Sequence, residues 1–395
     1  MKITAITAEF NPFHKGHLIP LKYAKSALSS DYCIAIMSPS FVQRGEGAFF
    51  SKQNRVEMAL KCGFDCVLEL PHKNALQSAE GFCTGAIELA NHTNIITDIC
   101  FGSEYIDLEV LKDIANLLTN ESEEYKTYIK DSQKKGASYA KAVFSYLESH
   151  YKLTEKESRE LSSPNSILAL EYLKAINKTN SKIIPHSISR EKGSYHSNEV
   201  SYSAEYIRKN YDNLEAVKGI IPAETYDDYK KLIHNNEFIT INDFSDLLNL
   251  SLINYFSENM PENDLELRIK NNLDQFLCAS QFIELIKTKD KTYSSISRKL
   301  FRLLLGIDKL NYDSINYIRV LGFNKSSSNL VSMLKESSDI PVIINTAKDS
   351  KELSQKAREE FNLNIKAEEI YKIVLKSKSK KIYKNEFSEK YPIIK

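Results

Sequence analysis

The chain has 395 residues and a formal net charge of +1 at pH 7, with 42% hydrophobic and 27% charged residues. This length predicts two or three domains, and the composition is that of an ordinary globular protein. A net charge so close to zero gives no overall signal for a nucleic-acid partner, and no apolar run reaches the ~18 residues of a membrane-spanning helix. The 6 cysteines lack zinc-site spacing, so reduced thiols and a cytoplasmic location are expected.

The first predicted strand, residues 3–8, runs directly into a turn and then into a helix that begins at His17. Pro12 marks the turn, because it fixes φ and biases the residue before it away from helix. Gly16 lies between His14 and His17, where the backbone can approach a ligand closely. Imidazoles beside the N–H groups of a helix start suit the charge that develops on a phosphate. This His-x-Gly-His pattern resembles that of the nucleotidylyltransferase superfamily, in which a nucleophile attacks the α-phosphate of ATP or CTP.

Strands and helices alternate through the N-terminal half of the chain. Short apolar runs, typical of strands buried on both faces, occur at 3–8, 32–37, 66–70, 97–101 and 182–188. Helical patterns lie between them, at 17–29, 51–62, 76–92, 107–118, 122–134, 137–151 and 165–177. These units predict an α/β fold with a doubly wound, parallel, Rossmann-like sheet, in which ligands bind at the carboxyl ends of the strands. We expect residues 1–212 to form this ATP-binding catalytic domain.

A second candidate phosphate site follows the fifth predicted strand. Ser203 is placed to cap a short helix, and Arg208 lies about one and a half turns into it. A hydroxyl, backbone N–H groups and an arginine together form a cradle for β- and γ-phosphates. The same residues also describe an ordinary capped helix, and only the His-x-Gly-His turn favours the phosphate role. Glu205 is expected to face away from the nucleotide, pointing to solvent or pairing with a cation such as magnesium or Arg208, which the i, i+3 spacing brings within reach.

From residue 213 onward helical periodicity dominates, and strands are scarce apart from 341–345. The segment 296–307 has an apolar stripe along one helix face, with basic residues on the other side. Such a face can simply be solvated. Together with Tyr293, its cations also suit contact with an RNA backbone and base stacking. We therefore predict a mainly α-helical region, 213–395, that binds RNA through Arg298, Lys299 and Arg302.

Several segments together closely resemble the tRNA(Met) cytidine acetate ligase family. In that family ATP activates acetate as acetyl-adenylate, and the acetyl group is then transferred to the exocyclic amine of the wobble cytidine of elongator tRNA(Met). The resemblance implies ATP as a substrate, acetate and elongator tRNA(Met) as partners, and no evident protein partner or membrane. The segments that carry it are 9–17, 37–46, 51–55, 68–71, 101–104, 163–168 and Arg190.

The resemblance also implies roles for individual residues. His14 and His17 are assigned to the α- and β-phosphate oxygens, with Mg2+ helping to neutralise their charge. Arg190 and Arg208 are assigned to the pyrophosphate end, although Glu205 stands where the family usually carries threonine. The expected ATP-binding residues are Thr7, Ala8, Glu9, Phe10, Asn11, Pro12, Phe13, His14, Lys15, Gly16, His17, Leu18, Ile19, Pro20, Gly102, Asn165, Arg190, Ser203 and Arg208.

Two other functions fit parts of the same sequence. An adenylyltransferase that acts on a small phosphorylated metabolite would use the same turn. Such an enzyme, however, would not need the long helical region that follows. A non-catalytic RNA-binding protein would retain a degenerate nucleotide site, and the presence of both His14 and His17 argues against it.

Overall fold

The computed structural model describes residues 1–105, 107–189, 203–309, 314–389 and 393–394. Its strands are β1 (Ile3–Ala8), β2 (Tyr32–Met37), β3 (Phe41–Val42), β4 (Glu46–Gly47), β5 (Cys66–Glu69), β6 (Asp98–Ser103), β7 (Ile184–Ser189), β8 (Ile318–Asn324), β9 (Val342–Ile343) and β10 (Ile393–Ile394).

The α-helices of the first half are α1 (Leu18–Ser26), α2 (Lys52–Lys61), α3 (His72–Ala75), α4 (Ala79–His92), α5 (Leu108–Thr119), α6 (Glu123–Lys134), α7 (Tyr139–Tyr151), α8 (Glu155–Leu161) and α9 (Pro164–Lys178). Those that follow are α10 (Ala204–Lys209), α11 (Leu214–Lys218), α12 (Ala223–His234), α13 (Ser245–Glu258), α14 (Asp264–Asn271), α15 (Ala279–Ile286), α16 (Tyr293–Leu305), α17 (Ser328–Ser337), α18 (Thr346–Asp349) and α19 (Gln355–Ser379). None of these helices combines the length and apolar character needed to cross a membrane.

One sheet organises the described chain, with eight strands in the order β10–β8–β5–β2–β1–β6–β7 and β9 beside β8. The strands β5, β2, β1, β6 and β7 are mutually parallel, and β1 lies in the middle between β2 and β6. Their carboxyl ends therefore share one edge of the sheet, which is where ligands bind in such folds.

Helices cover both faces of the sheet, because alternate residues of each buried strand point in opposite directions. Ile34 and Ile36 of β2 pack with α4, α5 and α9 on one face. Ala35 and Met37 pack with α1 and α2 on the other. The predicted doubly wound α/β fold is confirmed.

The C-terminal half is mainly helical, as predicted, but it also contributes strands to the main sheet. The expectation that strands are scarce outside 341–345 was wrong for residues Ile318–Asn324, which form β8 and pair antiparallel with β5. A short apolar run cannot be distinguished from a buried helix segment by periodicity alone, and tertiary pairing decided its conformation. The division into domains at residues 212 and 213 stays a prediction, and the sheet contains strands from both sides of it.

A buried network of charged side chains holds the C-terminal segments against the sheet. Lys52 on α2 lies 2.8 Å from Glu69 at the end of β5 and 3.0 Å from Glu386. Arg319 on β8 contacts the same two carboxylates, at 3.3 and 2.7 Å, and Lys372 on α19 lies 2.9 Å from Glu386. Because a buried charge is costly without a partner, these pairs specify how the segments dock.

Candidate active site

The turn after β1 is organised by two imidazole rings. The chain leaves β1 at Ala8, and a short 3-10 segment, Lys15–His17, leads into α1. His14 Nδ1 accepts the N–H of Gly16 at 3.0 Å, and His17 Nδ1 accepts the N–H of His14 at 3.1 Å. The two ring centroids lie 3.9 Å apart. The histidines thus cap the start of this segment reciprocally, as a hydroxyl and a carboxylate do in other capping boxes.

These hydrogen bonds determine which nitrogen of each ring carries a proton. An Nδ1 atom that accepts a backbone N–H is unprotonated, so the neutral ring carries its proton on Nε2. His14 is only 4% exposed, whereas His17 is half-buried and lines a cleft. Two Nε2–H donors held by the backbone are suited to stabilise charge on a phosphate without reorganisation.

An open cleft of about 690 Å³ lies at the carboxyl ends of β1, β6 and β7. Many of the residues expected to bind ATP line this cleft, and they come from three separate parts of the chain. They are Thr7, Ala8, Phe10, Gly16, His17, Ile19, Pro20, Gly102 and Asn165.

Other expected residues lie beside the cleft rather than on its lining. Within the turn these are Glu9, Asn11, Pro12, Phe13, His14, Lys15 and Leu18. Arg190 falls outside the described residues.

The cleft also has an apolar wall that sequence reasoning missed. Phe101 and Tyr172 stack with ring centroids 5.3 Å apart. Part of this wall could have been predicted from the sequence. Phe101 directly precedes the expected site residue Gly102, and Ile188 ends the fifth predicted strand, where ligands bind in such sheets. Apolar residues on α9 gave no such signal, since packing alone brings that helix to the cleft. The additional lining residues are Ile6, Cys100, Phe101, Leu168, Tyr172 and Ile188.

Asn165, at the start of α9, is oriented by a carboxylate from the end of β6. Its Nδ2 donates to Glu104 at 2.5 Å, and Glu104 also accepts Ser163 Oγ at 2.6 Å and the N–H of Ser166 at 3.1 Å. Burial raises the pKa of Glu104, but these hydrogen bonds outweigh it and place the pKa below its ordinary value. Glu104 is therefore ionised near neutral pH and fixes the Asn165 amide.

The short helix α10 is capped as predicted, since Ser203 Oγ accepts the N–H of Tyr206 at 3.0 Å. Arg208 reaches back to the turn, where it donates to the carbonyl oxygen of Asn11 at 2.5 Å and pairs with Glu46 at 3.2 Å. Arg208 thus braces the turn, and its assignment to the pyrophosphate end of ATP stays a prediction.

Glu205 is exposed and pairs with Lys209 rather than with Arg208. Its carboxylate lies 2.8 Å from Lys209 Nζ, one residue further along α10, and its side chain is 53% exposed. The hydrogen bond to Lys209 lowers the pKa of Glu205 below its ordinary value. Arg208 is unavailable to it because Glu46 and the turn already hold that guanidinium.

The hairpin formed by β3 and β4 connects the turn to α16. Asn11 Nδ2 donates to Glu46 at 3.1 Å, and Asn11 Oδ1 accepts the N–H of Phe49 at 2.6 Å. At the hairpin tip, Gly45 has φ +81°, and a Cβ atom there would lie 2.4 Å from the backbone nitrogen of Arg298. Glycine is therefore required both for its backbone conformation and for the close approach of α16.

The three cations expected to bind RNA all have partners within the chain. Arg298 donates to the carbonyl oxygen of Gln43 at 3.2 Å. Lys299 Nζ lies 3.2 Å from one carboxylate oxygen of Asp308, and Arg302 lies 2.7 Å from the other. The sequence pattern does not predict these contacts, because they depend on which loops pack against α16. The RNA-binding role of these cations stays a prediction.

Comparison with known proteins agrees with this arrangement. A family model described as HIGH Nucleotidyl Transferase matches residues 1–386. The tRNA(Met) cytidine acetate ligase of Clostridium novyi (strain NT) is 35% identical over 356 residues, which cover 85% of this chain and 88% of that protein. The enzyme of the same name from Thermoanaerobacter sp. (strain X514) is 37% identical over 353 residues, covering 85% and 86%.

Among solved structures, that of Thermotoga maritima TmcAL bound with alpha-thio ATP is similar with a TM-score of 0.88 and 30% sequence identity, over 100% of both chains. The apo form of the same protein has the same TM-score and identity. The chain therefore belongs to the tRNA(Met) cytidine acetate ligase family of HIGH nucleotidyl transferases.

Proposed function

We propose that this protein is an ATP-dependent ligase that forms acetyl-adenylate and acetylates the wobble cytidine of elongator tRNA(Met) to N4-acetylcytidine. The observation that carries the proposal is the pair of backbone-held imidazoles at His14 and His17, which adjoins an open cleft at the carboxyl ends of β1, β6 and β7. The names of the relatives and the nucleotide in the similar solved structure support it.

The first half-reaction joins an acetate oxygen to the α-phosphorus of ATP and expels pyrophosphate. Catalysis of such a transfer consists mainly of positioning and charge neutralisation. The Nε2–H groups of His14 and His17 would donate to the phosphate oxygens, and the N-terminal end of α1 adds a favourable dipole. No covalent nucleophile from the protein is needed.

Mg2+ belongs to the proposal as part of the nucleotide substrate. This ion is usually held by substrate phosphates together with one or two carboxylates rather than by a cage of protein ligands. The described residues contain no group of three His, Cys, Asp or Glu side chains that could hold a metal ion. The residue types around the turn fit a metal that arrives with ATP.

The adenosine would lie along the apolar wall of the cleft. Leu168 and Tyr172 of α9 and Phe101 of β6 line this wall, and an aromatic surface suits a nucleobase. Asn165, fixed by Glu104, provides a polar group at the edge of the same wall. These contacts would select the adenosine part of ATP while the turn holds the phosphates.

Pyrophosphate exchange tests the proposed function directly. We expect labelled pyrophosphate to enter ATP only when acetate is present, because the reversible step requires acetyl-adenylate. Addition of unmodified elongator tRNA(Met) transcript should then yield N4-acetylcytidine. Exchange that requires a phosphorylated metabolite instead of acetate would favour the adenylyltransferase, and tRNA binding without any exchange would favour a non-catalytic RNA-binding protein.

Neutralising Arg298, Lys299 and Arg302 should weaken tRNA binding and flatten its salt dependence, by about one unit of slope for each lost phosphate contact. Affinity for ATP should barely change. Binding is measured across a salt series, and thermal unfolding is measured alongside because these cations also have intramolecular partners. A matched variant that neutralises exposed Lys126, Lys130 and Lys134 on α6 controls for net charge. Parental binding at every salt concentration would contradict the RNA-binding assignment.

Glu205→Thr should change the Michaelis constant for ATP by less than about threefold, or ~0.7 kcal/mol. The reason is that Glu205 is exposed, is paired with Lys209 and does not line the cleft. The measurement is the ATP dependence of acetate-stimulated exchange in parent and variant. A tenfold fall in the constant would show that the carboxylate does repel the nucleotide.

A further inference from the structure

Glu9 lies at the carboxyl end of β1, directly before the histidine turn, and none of the contacts described so far uses its side chain. Its Oε1 atom accepts the backbone N–H of Gln43 at 2.7 Å. Its Oε2 atom makes no hydrogen bond with any residue that the structure describes, and the residue is half-buried. One oxygen thus anchors the carboxylate, and the other remains for a ligand.

Glu9 lies beside the nucleotide cleft, and its side chain contacts the hairpin. The cleft extends from β1 toward β6 and β7. Gln43 lies in the hairpin that follows β2, the neighbour of β1 on its other side. A nucleotide in the cleft and a second substrate that approaches along the hairpin would therefore meet at the end of β1. Arg44, exposed at the hairpin tip, adds a cation suited to a nucleic-acid phosphate on that side.

The surroundings make Glu9 a better proton acceptor than an ordinary glutamate. Burial raises its pKa most strongly and Glu46 raises it further, while the Gln43 hydrogen bond, Arg44 and Arg208 lower it, and the result lies above the ordinary value. A carboxylate with a raised pKa matches the operating pH more closely. The charged and titratable groups that face Glu9 are Glu46 and Arg44 of the hairpin, Arg208 of α10, Arg55 of α2 and Tyr172 of α9.

We propose that Glu9 is the general base of the acetyl-transfer half-reaction. The inference rests on the proposed function and adds a catalytic residue to it. The lone pair of the cytidine N4 atom forms a C–N bond to the acetyl carbonyl carbon of acetyl-adenylate. The bond from that carbon to the phosphate oxygen breaks, and AMP leaves with the electron pair. One proton of N4 passes to the Oε2 atom of Glu9.

The decisive comparison is between the two half-reactions of Glu9→Gln. The amide oxygen of glutamine still accepts the Gln43 N–H, while the proton acceptor is lost. Acetate-dependent pyrophosphate exchange should retain much more of the parental rate than transfer does, because the Glu9 side chain does not line the cleft. Single-turnover transfer from enzyme-bound acetyl-adenylate to an unmodified elongator tRNA(Met) transcript should fall by at least ~10²-fold, the scale of a lost general base.

The pH profile of transfer adds a readout that a structural role would not move. In the parent, transfer should slow as the pH falls through the pKa of Glu9, because the protonated acid cannot accept a proton. Glu9→Gln should lack this acid limb, and Glu9→Asp should retain it with a lower rate. Glu57→Gln is the matched control, because Glu57 is also half-buried with a raised pKa but lies on α2, outside the cleft and the turn.

Each other outcome overturns the inference in a recognisable way. If folded Glu9→Gln loses exchange and transfer equally, and higher Mg2+ restores both rates, then Glu9 contacts the metal or the nucleotide and is not the base. Unchanged transfer in Glu9→Gln would exclude it as the base. If Glu9→Gln does not fold, the pH profile of transfer by Glu9→Asp provides the test. A profile without the acid limb would contradict the proposal. Absence of acetate-dependent exchange in the parent would instead refute the proposed function.

Discussion

Alanine at His14 or at His17 is expected to lower the rate of acetate-dependent pyrophosphate exchange by at least ~10²-fold, the scale of losing one preorganised transition-state donor. Both rings present Nε2–H because their Nδ1 atoms accept backbone N–H groups. The donors are therefore oriented before ATP arrives.

The histidines also cap the turn, so the experiment has to separate that role from catalysis. Loss of a cap costs about 1 kcal/mol of stability. His14→Asn retains an acceptor near the Gly16 N–H but has no Nε2–H, and it should lose activity like His14→Ala while melting closer to the parent. His234→Ala, at an exposed position on α12, is the control for histidine removal. Near-parental exchange in both alanine variants would refute the assignment.

Arg319→Met is expected to lower the free energy of unfolding by about 3–5 kcal/mol, because it leaves buried carboxylates without one of their cations. Arg319 is 1% exposed and lies between Glu69 on β5 and Glu386 near the C-terminal end. Urea-induced unfolding, followed by circular dichroism, measures the loss. Lys61→Met removes the exposed pair with Asp228 and should change the midpoint little, since solvent screens such a pair.

The pH dependence of this loss has a defined sign. Burial raises the pKa of Glu69, but Lys52 and Arg319 more than offset it, so the pKa lies below its ordinary value of 4.5. A carboxyl group whose pKa is depressed by folding stabilises the protein above its unfolded pKa, and this contribution disappears as the pH falls through the folded pKa. The difference between parent and Arg319→Met should therefore be largest near neutral pH and shrink in acid. An additional Glu69→Gln substitution should restore part of the stability at neutral pH.

Local chemistry was enough to predict several elements closely. The strands Ile3–Ala8 and Tyr32–Met37 match the predicted ranges residue for residue, because both-face burial requires continuous short apolar runs. Ser203 caps α10 as predicted, because a hydroxyl directly before a helical segment accepts one of its free N–H groups. The His-x-Gly-His turn was found because its residue types and its place after the first strand are both local features.

The sequence by itself determined the parallel α/β sheet, the family and the turn that carries His14 and His17, since periodicity, caps and short motifs depend on neighbouring residues. Tertiary structure alone decided that Ile318–Asn324 joins the main sheet and that Arg298 contacts Gln43 rather than solvent. It also brought Glu9 against the hairpin. These contacts join residues that are 34 to 255 positions apart, or strands from opposite halves of the chain. Their formation depends on packing and desolvation across the whole fold, which no local pattern encodes.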